Sequence, residues 1–150
     1  MNTPLRGRLL GIDHGSKVIG LAVCDANWIA ARPLQLLVRK TRAADFAEIN
    51  KIVQQQEVVA VIVGLPDLPA DIVATSQAST VQRWASRLAA ALNVPVYLWE
   101  EGFSTDEAQQ LAAETGGRLP DRIDDRAAAV ILQSFIDSHP PGLPLPKPVS

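Results

Sequence analysis

The chain has 150 residues, of which 47% are hydrophobic and 20% charged, so it is long enough for one domain with its own core and is not disordered in composition. Its net charge of −2 gives no overall case for binding nucleic acid. Residues 1–51, however, hold eight Lys/Arg against four Asp/Glu. This asymmetry indicates a basic surface beside an acidic site, although a random scatter of surface charge explains it equally well.

The single cysteine, Cys24, excludes a disulfide framework and a cysteine-based zinc site within one chain. The N-terminal stretch is broken by Arg6 and Arg8 and lacks the continuous apolar run of a signal peptide. No apolar stretch approaches the roughly 20 residues that a membrane span needs. We therefore expect a cytoplasmic protein that does not interact with a membrane.

The first half of the chain predicts four strands and one helix. "RLLGID" and "KVIGLAVCD" form an antiparallel pair through a turn at Gly15, "PLQLLV" is a third strand, and residues 43–56 show helical spacing of apolar side chains. The run "VVAVIVGLP" is apolar on both faces, as expected of a strand at the centre of a sheet that is covered on both sides.

The second half predicts a helix over 76–92, a fifth strand in "VPVYLWE", and helices over 104–115 and 124–137. Early antiparallel strands followed by alternating helix and strand predict an α/β fold, a mixed five-stranded sheet with helices on both faces. We expect one domain over residues 1–138. The tail, 139–150, is rich in proline and is expected to be extended and flexible.

Acidic residues stand where predicted strands end or a helix begins. Asp13 ends the first strand, Glu100 and Glu101 end the last, and Asp124 begins the final helix. Ligands of such sheets collect at the carboxyl ends of strands, near the point where the strand order reverses. If the first and last strands come close, three acids from distant segments converge at one edge.

Clustered carboxylates repel one another unless a cation neutralises them, and Mg²⁺ or Mn²⁺ prefers such oxygen ligands. Two of these ions about 4 Å apart can activate an attacking water and stabilise the leaving oxygen of a phosphodiester. Each acid also has a plain structural explanation: Asp13 as a turn residue, Glu101 as a solvated charge, Asp124 as a helix N-cap. Spacing alone does not decide between these interpretations.

Four segments resemble the YqgF, or RuvX-like, family and occur in its order: "GIDHGSKVIGLAVCD", "VVAVIVGLP", "EEGFSTDEA" and "IDDRAAAVILQSFID". The resemblance covers about residues 8–137. It implies a ribonuclease H-like fold and a function described in two ways, as a Holliday-junction resolvase and as a nuclease that matures the 5′ end of the small-subunit ribosomal RNA precursor. The implied substrate is therefore nucleic acid, either precursor rRNA or branched DNA.

The resemblance also assigns roles to residues. It places the catalytic metal ligands at Asp13, Glu101 and Asp124, with Asp125 as the rival of Asp124. Helical phase favours Asp124, which lies about 30° from the centre of the apolar stripe, against about 70° for Asp125. Lys17 and Thr105 match positions that would contact substrate.

Several side chains near these acids are interpreted differently. His14 should point to the face opposite Asp13 in an extended strand and is not expected to be a ligand. Lys17 could equally be a solvated turn lysine. The aromatic residues Trp84, Trp99 and Phe135 are expected to belong to the core.

The chain departs from the family pattern in two places. Gly102 replaces an arginine suited to phosphate oxygens, and the loop after Pro66 lacks the usual polar, glycine-containing sequence. The leading hypothesis is a Mg²⁺- or Mn²⁺-dependent nuclease, a monomer or homodimer, that hydrolyses phosphodiester bonds in structured nucleic acid. The favoured substrate is the 5′ end of precursor 16S rRNA, and branched DNA is the alternative. A non-catalytic nucleic-acid or ribosome-assembly factor is the second hypothesis. An actin-like ATPase or sugar kinase is the third, although that class needs two such domains.

Overall fold

The computed structural model describes residues 7–15, 17–65, 74–100, 125–139 and 148–149. Within these residues three strands are followed by a helix, a strand, a helix, a strand and a final helix, in the predicted order. The strands are β1 (Arg8–His14), β2 (Val18–Cys24), β3 (Ala31–Val38), β4 (Val58–Leu65) and β5 (Val96–Glu100). The helices are α1 (Arg42–Gln55), α2 (Ala74–Ala91) and α3 (Asp125–Asp137).

The strands form one mixed sheet in the order β3-β2-β1-β4-β5. The pairs β1–β2 and β2–β3 are antiparallel, and β1–β4 and β4–β5 are parallel. The carboxyl ends of β1, β3, β4 and β5 therefore lie at the same edge of the sheet, which we call the carboxyl edge. β1 lies between β2 and β4. The strands β2 and β3 follow on one side of β1, and β4 and β5 follow on the other, so the strand order reverses at β1.

Helices cover both faces of the sheet, as predicted. Side chains of α1 and α2 such as Phe46 and Leu88 share one buried cluster with Leu10 and Ile12 of β1. The opposite face carries a second cluster to which α3 contributes Phe135. Each fully buried side chain of this size contributes about 1.5–3 kcal/mol of hydrophobic stabilisation.

β4 occupies the centre of the parallel half of the sheet, between β1 and β5. Its alternate side chains enter the two clusters, with Val61 and Val63 on the α1/α2 face and Ile62 on the α3 face. This placement confirms the prediction that an unbroken apolar run fills a strand covered on both sides.

The predicted helix 104–115 and most of the tail fall outside the described residues. In the described part of the tail, the Val149 amide donates a hydrogen bond of 2.6 Å to the carbonyl oxygen of Val96, at the outer edge of β5. Cys24 is buried and has no disulfide partner. No helix among the described residues combines the length and hydropathy required of a membrane span.

Candidate nuclease site at the carboxyl edge of the sheet

Asp13 lies one residue before the end of β1, at the carboxyl edge where the strand order reverses. It pairs with Gly20 of β2, and the residue before it, Ile12, pairs with Val63 of β4. Asp13 is partly buried. Because a strand backbone held on both sides has little freedom, the position of this carboxylate is set by the sheet rather than by a loop.

The side chains of β1 alternate between the faces, which places Asp13 on the same face as α3. Leu10 and Ile12 enter the α1/α2 cluster, whereas Leu9 enters the α3 cluster and Gly11 lies directly under α3. Because side chains alternate along a strand, residue 13 is on the same face of the sheet as residues 9 and 11.

The first turn of α3 packs on β1 two residues before Asp13. A Cβ atom built on Gly11 would meet Ala128 O at 3.0 Å and Leu132 Cβ at 2.8 Å, so α3 rests on the β1 backbone two residues before Asp13. α3 begins at Asp125, three residues or about 4.5 Å of helix rise before Ala128. A glycine inside an apolar strand is the sequence signal for this close approach.

The end of β5 reaches the same edge. Glu100 is its last residue and pairs with Leu65, while Trp99 pairs with Gly64. The Trp99 ring packs on the α3 face, 5.6 Å from the ring of Phe135, and its Nε1 donates a 3.0 Å hydrogen bond to Ser134 Oγ. β4 separates β1 from β5, so the two strand ends lie two interstrand spacings, roughly 10 Å, apart.

Of the three predicted metal ligands, Asp13 alone lies in the described part of the chain. Glu101 and Asp124 lie outside it, as do Thr105 and Gly102. Within the described residues no group of three His, Cys, Asp or Glu side chains is close enough to hold a metal ion. The convergence of the three acids therefore stays a prediction.

His14 points away from Asp13, as predicted. Its ring centroid lies 4.7 Å from that of Trp84 on the α1/α2 face, and its Nε2 lies 3.3 Å from Nη1 of Arg39. Burial, and secondarily the Arg39 charge, lower the pKa of His14 to about 4. The imidazole is therefore neutral at pH 7, and its Nε2 accepts a hydrogen bond from Arg39 Nη1.

Lys17 is exposed in the β1–β2 turn, three residues beyond His14. Its carbonyl oxygen accepts a 2.9 Å hydrogen bond from the Arg39 amide. The aromatic predictions hold for Trp84 and Phe135, which are 5% and 0% exposed. Trp99 is partly buried against the α3 cluster.

The sheet order and the helices on both of its faces place the chain in the class of ribonuclease H-like folds. In support of this class, the chain resembles Thermus thermophilus RuvC in complex with a Holliday junction substrate, with a TM-score of 0.54, 19% identity, and coverage of 88% of this chain and 94% of that one. The Thermus thermophilus RuvC structure gives a TM-score of 0.51 at 18% identity, covering 85% of this chain and 92% of that one.

The family is fixed by sequence. The RuvX family, described as Holliday junction resolvase, matches residues 7–138. A protein of Sphingopyxis alaskensis named "Putative pre-16S rRNA nuclease" is 41% identical over 138 residues, 90% of each chain. A protein of Zymomonas mobilis with the same name is 37% identical over 90% of this chain and 83% of its own. The chain belongs to the RuvX family.

Proposed function

We propose that this protein is a metal-dependent nuclease that hydrolyses phosphodiester bonds in structured nucleic acid. One observation supports this function above the others: Asp13 lies at the carboxyl end of β1, beside the strand-order reversal and on the α3 face. That is where open α/β sheets bind their ligands. Neither an apolar core role nor a turn role requires a carboxylate there.

Asp13, Glu101 and Asp124 are the proposed metal ligands. Glu101 follows β5 directly in the sequence, and Asp124 directly precedes α3. β5 ends at the carboxyl edge, and the first turn of α3 packs on Gly11, two residues before Asp13. Three carboxylates form a hard, all-oxygen donor set that suits Mg²⁺ or Mn²⁺ better than a softer metal. Divalent ions bound there would supply Lewis-acid stabilisation of charge on the phosphate and its leaving oxygen.

The protein's own residues would hold the substrate in place. The paired backbone around Asp13 fixes its carboxylate in the sheet. Lys17 would place a positive charge near a backbone phosphate, and Thr105 would donate a hydroxyl hydrogen bond to a phosphate oxygen. Such binding is largely electrostatic and weakens steeply with added salt.

Precursor 16S rRNA, cut near its 5′ end, is the substrate that we favour, because relatives 32–41% identical carry that nuclease name. Branched DNA is the second candidate, because the family description and the RuvC complex both concern the Holliday junction. We further propose a cytoplasmic location and a monomer or homodimer. Light scattering on the purified protein would distinguish the two assembly states.

A cleavage assay tests the proposal. Precursor 16S rRNA and a four-way DNA junction are each incubated with the protein and either Mg²⁺ or Mn²⁺. We expect cleavage of one substrate by the wild type and none by Asp13→Asn. Asp25→Asn is the matched control, because Asp25 follows β2 at the opposite edge of the sheet and the substitution removes the same charge. Equal cleavage by wild type and Asp13→Asn would reject the assigned role.

Metal binding is tested separately by calorimetry. Wild type should bind Mg²⁺ or Mn²⁺ specifically, and Glu101→Gln should abolish that binding, whereas Asp25→Asn should not. A protein that binds RNA but no divalent ion, and cleaves nothing, would instead be the non-catalytic assembly factor. The replacement of the family arginine by Gly102 makes that comparison informative.

A further inference from the structure

Two turns at the carboxyl edge are bonded into one unit. The turn between β1 and β2 and the turn between β3 and α1 meet where the Arg39 amide donates to the Lys17 carbonyl oxygen at 2.9 Å. This bond extends the pairing of Val18 with Val38 by one step beyond the two strands. The Arg39 side chain then reaches back, and its Nη1 donates to the Gly15 carbonyl oxygen at 2.9 Å.

The buried carboxylate of Asp45 in α1 fixes the orientation of the Arg39 side chain. This carboxylate is 2% exposed and lies 3.8 Å from Arg39 Nε, and its Oδ1 accepts a 2.9 Å hydrogen bond from the Lys40 amide. Thr41 caps α1 by accepting a 3.1 Å hydrogen bond from the Ala44 amide. The second turn is thus held by one ion pair and two side-chain-to-backbone bonds, so it is ordered before any ligand arrives.

These turns expose cations that no acid in the described part of the chain neutralises. Lys17, Lys40 and Arg42 are all exposed, and none forms an ion pair with a residue in the described part of the chain. Asp45 compensates Arg39 alone. An exposed cation usually gains little by pairing, but three of them on one ordered surface raise the local positive potential.

Lys17 also lies within reach of a nucleic-acid strand that passes Asp13. Lys17 precedes Gly20, the strand partner of Asp13, by three residues, so the Lys17 backbone lies on the order of 10 Å beyond Asp13 along the strands. Successive phosphates advance about 3.4 Å along the axis of one strand of a duplex. Lys17 therefore stands about three nucleotides from a phosphate held at Asp13.

We propose that Lys17, Lys40 and Arg42 form a basic ledge that binds backbone phosphates flanking the cleavage site. Arg39 does not contact substrate in this arrangement; it is a positioning residue that joins the two turns. The inference rests on the proposed nuclease function and extends it, since Lys17 is the only one of these three cations that the sequence predicted to contact substrate. The ledge recognises phosphate, so it serves an RNA or a DNA duplex alike.

Salt-dependent binding tests the ledge without requiring cleavage. Binding of a fluorescent RNA stem-loop and of a four-way DNA junction is measured by anisotropy in EDTA, over a range of salt concentrations. We expect the triple variant Lys17→Gln/Lys40→Gln/Arg42→Gln to reduce the slope of log K against log salt by about 2 to 3, at about 0.9 per lost contact. At about 0.15 M salt this equals a loss of roughly 100-fold in affinity.

A second triple variant is the matched control. Arg8, Arg32 and Lys51 are also exposed, but Arg8 and Arg32 lie near the starts of β1 and β3, at the opposite edge. Lys51 lies nine residues after Arg42 on α1, about 13.5 Å along the helix. Changing these three to Gln gives the same net charge of −5 and should leave the slope unchanged.

Each outcome decides something. A reduced slope only in the first variant supports the ledge. Equal reductions in both variants would show a diffuse charge effect and overturn it, and so would unchanged slopes in both. No binding of either probe by the wild type would reject the proposed function itself. A preference for one probe, with the same loss of slope, would identify the substrate class while retaining the ledge.

Discussion

Gly11 of β1 and Ala128 of α3 are in direct backbone contact, because a methyl group on Gly11 would lie 3.0 Å from the Ala128 carbonyl oxygen. The same methyl would lie 2.8 Å from Leu132 Cβ. Neither atom can move by a side-chain rotation. The distance between β1 and α3 is therefore set by a missing side chain, two residues from Asp13.

Gly11→Ala should destabilise the protein by about 1–3 kcal/mol and move α3 away from β1, because neither contact can yield. Urea denaturation monitored by tryptophan fluorescence measures the loss, and metal titration should show weaker binding. Gly64→Ala is the comparison. Its methyl would meet Ile131 Cδ1 at 2.6 Å, the mobile end of a side chain, so its cost should be smaller and should fall further with Ile131→Val. A larger loss at Gly64 would contradict this account.

Trp84→Phe should cost less stability than Trp28→Phe. Both side chains are buried, but Trp28 Nε1 donates a 2.8 Å hydrogen bond to the Gly7 carbonyl oxygen, whereas buried Trp84 Nε1 has no partner in the described part of the chain. We expect a difference of about 1–2 kcal/mol, since only Trp28→Phe breaks a bond. Chemical denaturation of the two variants measures it, and equal losses would show that Trp84 has a partner in solution.

Arg39→Met should destabilise the protein by about 1–3 kcal/mol, because it leaves the buried Asp45 carboxylate without a cation. Its Oδ2 already lacks a hydrogen bond within the described structure, so the Arg39 charge is its main compensation. In a double-mutant cycle, adding Asp45→Asn should recover part of this loss. Additive losses would indicate that the pair is not coupled.

Acidification should destabilise the metal-free protein between about pH 6.5 and pH 4. Burial and the Arg39 charge lower the pKa of His14 to about 4, from 6.5, so the unfolded chain binds a proton in this range that the folded chain does not. The free energy of unfolding therefore falls as pH falls, and the loss is complete below about pH 4. Denaturation in EDTA at several pH values measures it. In His14→Gln the free energy of unfolding should depend less on pH than in the wild type. The same pH dependence in both proteins would show that His14 is not the cause.

The apolar patterns predicted the architecture well because burial acts locally on each element. The double-faced run of β4 and the helical stripe ending at Phe135 specify which faces are covered, and the structure confirms both. The predicted helix boundaries differ slightly from the structure. α1 begins at Arg42 rather than at residue 43, because Thr41 supplies the N-cap. The separation of β1 from β5 by β4 depends on strand order, which single-strand patterns do not contain.

The site was predictable only in part. Asp13 could be found because a carboxylate ends an apolar strand, and alternation gave the opposite direction for His14. Arg39 and Asp45 could not: a basic residue after a strand and an acid in the first turn of a helix both look like solvated charges. Their pairing depends on how β3 and α1 approach, which is a tertiary contact between the two elements.

The bond between Val149 and Val96 concerns association rather than catalysis. The edge strands of an open sheet have outward amides and carbonyls without strand partners. These groups can pair with a strand of another molecule, which leads to aggregation. At Val96 the outward carbonyl oxygen already accepts a hydrogen bond from Val149 of the same chain. Val149 thus occupies one of the outward hydrogen-bonding positions of β5, at the side of the sheet farthest from β3.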